Sequence, residues 1–149
     1  MTLPAPAERQ HWMSVLARAS ADDITLHLRD TPPLPPHVRL RGPETGLVMV
    51  RGRLGGAGAP FNLGEMTVTR CTVRAGEQVG HATVAGRDGR QAELAARLDA
   101  GLLDPALHAA LLATVIAPLA AAQRQRREGQ ARRAAATRVQ FFTMATMRS

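Results

Sequence analysis

The chain has 149 residues, a length for one domain, and 45% of them are hydrophobic, enough to furnish a core. Its basic residues are all arginine, 19 against 12 acids for a formal charge of +7, and residues 123 to 138 hold six of them with only Glu128, a local +5 that leaves +2 on the rest. So local a basic run on a nearly neutral body argues against a broad nucleic-acid surface, which needs a stripe on the folded domain or aromatics interleaved with the arginines.

No stretch of about eighteen apolar residues, long enough to cross a membrane, is expected, and MTLPAPAERQHW lacks a basic region followed by an apolar core. The expected setting is cytoplasmic. The single cysteine, Cys71, excludes an internal disulfide and leaves too few thiols for a structural zinc site. Aromatics are scarce: Trp12, Phe61, Phe141 and Phe142 stand alone, so the core must rest on Leu, Val and Ala.

Residues 6 to 19 predict a first helix, with Pro6 near its start and Trp12, Val15, Leu16 and Ala19 at helical spacing. Trp12 points into that stripe, as a core residue or as an anchor at a contact. A second short helix is expected from Asp22 to Leu28. Thr31-Pro32-Pro33-Leu34-Pro35-Pro36 then forbids helix and sheet and forms a stiff connector.

His37 to Arg41 alternates as a first strand, turned by Gly42-Pro43. Glu44 and Thr45 lead into a second strand, Gly46 to Leu54, whose unbroken run Leu47-Val48-Met49-Val50 suits cover on both faces. The loop Gly55-Gly56-Ala57-Gly58-Ala59-Pro60 joins it to a third strand, Leu63 to Arg74, rich in Thr and Val. Ala75-Gly76-Glu77 turns into a fourth, Gln78 to Ala85. Asp88 with Gln91 opens a helix along Leu94, Ala95, Leu98 and Leu102, and Asp104-Pro105 opens another along Leu107, Ala110, Leu111, Thr114 and Val115. Pro118 is expected to kink or end it. Leu119 to Val139 is a helix-prone Arg/Ala segment with charge all around its axis.

The expected fold is therefore α+β: about four antiparallel strands flanked by helices, with a long Arg/Ala-rich C-terminal helix. One domain over 1–149 divides into N-terminal helices (1–30), a proline-rich connector (31–36), the sheet (37–86) and C-terminal helices with a tail (87–149).

Catalytic residues are not apparent. His11, His27, His37, His81 and His108 show no metal-ligand spacing, and no nucleophile motif accompanies them. Anion contacts are the available chemistry. Arg70 and Arg74 share one face of a strand, Gly55, Gly56 and Gly58 could present backbone N–H groups, and Arg87 sits at a helix start. Trp12, Arg124, Arg127, Phe141, Phe142 and Met144 are the candidates for a partner interface, the two phenylalanines docking on a partner or folding back on the chain's own sheet. A free-standing basic nucleic-acid-binding module is the alternative, carried by the arginine run.

Several segments in order along the chain, Arg9 to Ala17, Glu44 to Val48, Gly55 to Gly58, Thr67 to Arg70, Gly86 to Asp88, Ile116 to Leu119 and Phe141 to Met144, jointly resemble the PhnG family. The resemblance spans nearly the whole chain; Pro32 to Pro36 is the main departure. It implies an accessory subunit of the bacterial carbon–phosphorus lyase core complex, assembling with PhnH, PhnI and PhnJ and acting with the ATPase-like PhnL. It further implies ATP and a phosphonate as substrates of that complex, with adenine displaced to give a ribose 1-phosphonate 5-triphosphate, the chemistry residing on PhnI. No cofactor or metal is expected on this chain itself.

Overall fold

The computed structural model describes residues 4–53 and 57–137. Helix α1, Pro6–Leu16, starts on Pro6, whose missing N–H is an orphan donor at that position in any case. Helix α2, Ala21–Leu28, is capped by the Ser20 hydroxyl, which accepts the Asp23 N–H at 3.0 Å. The sheet is antiparallel and three-stranded in the order β1 (His37–Arg53), β2 (Pro60–Ala75), β3 (Gln78–Ala85). Helix α3, Gly89–Leu103, follows the Asp88 cap, which accepts the Gln91 N–H at 3.0 Å. Helix α4, Pro105–Leu111, a π-helical turn, Leu112–Ile116, and helix α5, Ala117–Ala136, form one continuous run.

The sheet has three strands rather than four because Gly42-Pro43 does not turn the chain. Register shifts at Arg39/Arg41 and Arg41/Glu44 absorb the extra residues as a bulge, and both sides of it pair with the same strand, β2. The bulge requires glycine. Gly42 has φ +69°, and a Cβ there would lie 2.5 Å from the Arg70 carbonyl oxygen. Pro43 is tolerated because β1 is an edge strand.

Pro118 does not end its helix either. Its ring cannot accept a straight α-turn below it, and the preceding π turn takes up the mismatch, with the Ala117 N–H donating to the Leu112 carbonyl five residues back. The run Pro105–Ala136 does contain a window long and apolar enough to cross a membrane by length and composition alone, which the expectation above missed. Within it, Leu111, Val115, Ile116 and Leu119 belong to the protein's own core.

That core lies on one side of the sheet. Cys71, Val73 and Ala75 of β2 and Ala82 and Val84 of β3 face the helices. Helix α3 sits so close that a Cβ on Gly80 would overlap the Ala96 carbonyl and the Ala100 N–H. Trp12 is fully buried here, 0% exposed, so it cannot anchor a partner. Its ring meets His108 edge-on at 5.7 Å between centroids, and its Nε1–H donates to Asp99 Oδ1 at 2.8 Å.

Asp99 is itself 0% exposed and has every acceptor site engaged. Arg9 donates from Nε at 3.2 Å and from Nη2 at 2.7 Å, and the backbone N–H of His81 donates to Oδ2 at 2.9 Å. One carboxylate therefore joins α1, α3 and β3. Removing it strands a buried indole N–H together with a half-buried guanidinium. Asp99→Ala is expected to lower unfolding stability by about 3–5 kcal/mol in urea titration, whereas a loss under about 1 kcal/mol would show that the clamp is dispensable.

Candidate functional site

The face of the sheet turned away from the helices carries the charged residues. Arg70, Thr72 and Arg74 of β2 lie there, with His81 and Thr83 opposite them on β3 and Glu44 opposite Arg70 on β1. An open pocket of about 130 Å³ is lined by Arg41, Glu44, Arg70, Thr72, His81 and Thr83. Arg41 Nε approaches Glu44 Oε1 at 2.7 Å and Arg70 Nη2 approaches the same oxygen at 3.8 Å, contacts of charge without hydrogen-bond alignment. Thr72 Oγ1 and His81 Nδ1 are 3.1 Å apart. The pocket thus offers two exposed guanidinium groups partly neutralised by one carboxylate, an arrangement that could receive an anion.

The structure separates this patch from Gly58. Gly55 and Gly56 lie outside the described residues, and Gly58 sits beyond Pro60, where β2 begins. At ~3.3 Å per residue, the ten residues from Pro60 to Arg70 place the arginine roughly 30 Å from the start of β2 beside Gly58, with Arg74 farther still. One anion cannot be held by both. Arg87 is exposed just before the Asp88 cap of α3, and no contact among the described residues joins it to Arg70.

Of the interface candidates, Arg124 and Arg127 are exposed on α5, which leaves the body after Gln123 donates to the Val15 carbonyl at 2.8 Å. Its neighbour Arg126 reaches back to Asp23 at 3.6 Å. Phe141, Phe142 and Met144 lie outside the described residues. Among the described residues no group of three or more His, Cys, Asp or Glu side chains could hold a metal ion.

The sequence model of a family described as "Phosphonate metabolism protein PhnG" matches residues 7–147. The chain belongs to the PhnG family. A relative from Rhizobium meliloti (strain 1021), named alpha-D-ribose 1-methylphosphonate 5-triphosphate synthase subunit PhnG, is 46% identical over 142 residues, covering 93% of this chain and 88% of the relative. The family match therefore takes in both the three-stranded sheet and the arginine helix α5.

Sequence reasoning missed a second carboxylate that holds the edge strand. Glu93 of α3 accepts from Arg39 Nε at 2.9 Å and Nη2 at 2.8 Å, a two-pronged contact, and lies 2.8 Å from His37 Nε2. It stands one residue before Leu94, the first apolar position recognised in the helix, so nothing in spacing marked it. The hydrogen bond from Arg39 holds the Glu93 carboxyl below its ordinary value, against the opposing effect of burial. Burial pushes the Cys71 thiol up, as befits an inert core residue on β2.

Because its folded value is depressed, Glu93 contributes stability that is fully present above its ordinary pKa of 4.5 and is lost as pH falls through the folded value. Glu93→Gln is expected to lower the melting temperature near neutral pH, and its difference from the parent chain should shrink as pH is lowered from about 6 to about 3. A difference constant across that range would remove Glu93 from the acid response.

Proposed function

We propose that this PhnG-family chain is a non-catalytic subunit of an alpha-D-ribose 1-methylphosphonate 5-triphosphate synthase. Together with PhnH, PhnI and PhnL partners, such an assembly transfers the ribose triphosphate moiety of ATP to an alkylphosphonate and releases adenine. The observation that carries the reading is the match to a named synthase subunit over 93% of the chain. The placement of polar groups supports the accessory role. Among the described residues the one fully buried carboxylate, Asp99, has its acceptors taken by Arg9, Trp12 and the His81 N–H, which keeps it out of reach of a substrate.

The pocket at Arg41, Arg70 and Thr72 is the place where this chain could contribute to the complex's anion site, since triphosphate and phosphonate oxygens suit guanidinium donors. The arginine helix favours protein contact over nucleic acid, because the chain outside residues 123–138 sums to only +2. In this reading the chain works in the cytoplasm, where ATP is available.

The test is adenine release from ATP with methylphosphonate, measured for the isolated chain, the complex lacking it and the complete complex. The isolated chain is expected to be inactive and the complete complex active, with activity lost when this chain is omitted. Turnover by the isolated chain would overturn the proposal. In the same assay, Arg70→Ala in a fully assembled complex is expected to raise KM with kcat little changed; unaltered kinetics would exclude Arg70 from the substrate site.

A further inference from the structure

The far half of the β1–β2 hairpin has no role in the fold just described. Beyond the last β2–β3 pair, Val68 with Ala85, the two strands run on alone as a ribbon. Seven residue pairs at ~3.3 Å each carry it roughly 23 Å past the core. The register sorts its side chains. Leu47 and Met49 stand opposite Thr67 and Glu65 on one face, and Val48 and Val50 stand opposite Met66 and Gly64 on the other.

Both faces are apolar and neither is covered by the described residues. Leu47 is 63% exposed, Leu63 60%, Met49 53% and Met66 42%. A two-stranded ribbon is marginal in water even with one face buried, and a continuous apolar surface of this kind marks a contact. The unbroken run Leu47-Val48-Met49-Val50 asks for cover on both faces, and the described residues supply it on neither.

Charge identifies what covers it. The end of the ribbon carries exposed Arg51 and Arg53, whereas Glu65 is the one acid among residues 46–53 and 60–67. A second copy of this chain, arm against arm about a two-fold axis, would lay those arginines on the base of its neighbour's ribbon, where Arg41 and Arg70 already outnumber the single carboxylate of Glu44. Like charges would meet at both ends. A different polypeptide escapes that repulsion.

Resting on the subunit reading above, we propose that this ribbon is an insertion arm that enters a cleft in another subunit of the synthase. That cleft has apolar walls for both faces and carboxylates around Arg51 and Arg53.

The experiment coexpresses the full chain with the other synthase subunits and compares the parent with Leu47→Asp/Met66→Asp, one charge on each face of the ribbon. Both positions are exposed, so the isolated variant is expected to keep the parent's circular dichroism and melting temperature. Recovery of the complex should fall at least about tenfold, as expected for charges forced into a desolvated contact. Hydrogen exchange gives a second measurement that needs no variant: ribbon amides should exchange rapidly in the isolated chain and slowly in the complex. Undiminished recovery of the double variant, or ribbon amides already protected in the isolated chain by its own C-terminal segment, would overturn the proposal. So would a dimer of the isolated parent that the double variant abolishes while assembly persists. If the parent itself fails to copurify with any synthase subunit, the subunit reading fails first, and the arm with it.

Discussion

A single buried carboxylate fixes how the layers of this protein meet. Asp99 projects from α3 into a space where an unpaired charge would be ruinous, and it is tolerable only because Arg9, Trp12 and the His81 backbone all donate to it. Those donors come from the first helix and the last strand, so the contact sets the depth at which α1 settles against α3 and the height of β3 beneath both. Gly80 makes the same demand sterically, since α3 passes where its side chain would be. Once α3 is seated, Gln91 donates to the Ala17 and Ala19 carbonyls at 3.2 and 2.6 Å, and Glu93 holds Arg39 and His37 of β1. The helix thereby joins the start of the chain to both edges of the sheet.

Among the described residues, that economy of contact leaves one face of the sheet and half of one hairpin without cover. On the open face, Arg41 and Arg70 surround Glu44, a polar surface that water can satisfy. The ribbon beyond it is different in kind, because Leu47, Met49, Leu63 and Met66 gain nothing from water. A chain that builds its core from Ala, Val and Leu around one tryptophan would have no reason to leave these residues outside unless another surface receives them.

Local chemistry was legible in the sequence wherever the chain speaks to its immediate neighbours. The caps at Asp88 and Asp104, the stripe of α3 and the hairpin at Gly76 follow from residue type and spacing. Two prolines misled for a shared reason: Pro43 and Pro118 usually break an element, but a bulge and a π turn let the neighbouring strand and helix carry on. Asp99 was within reach, since an acid between Ala95, Ala96 and Leu102 interrupts the buried stripe of a helix; its partners were not, because Arg9 is 90 residues away in the chain. The spacing of Arg70, Arg74 and the glycine loop likewise says nothing of their separation along a straight strand. Trp12 follows helical spacing into the core, and only its scarcity suggested a contact.

The account joins two facts: the chain belongs to the PhnG family, and half of its hairpin is apolar on both sides and left uncovered by the described residues. If these describe one thing, the ribbon lies inside another subunit when the synthase is assembled. The most direct measurement places a photo-crosslinking amino acid at position 47 or at position 66, on opposite faces of the ribbon, and irradiates the purified complex. Crosslinks from both positions to one other synthase subunit are the predicted result. Crosslinks confined to this chain's own residues, or none from either face in an intact complex, would contradict it.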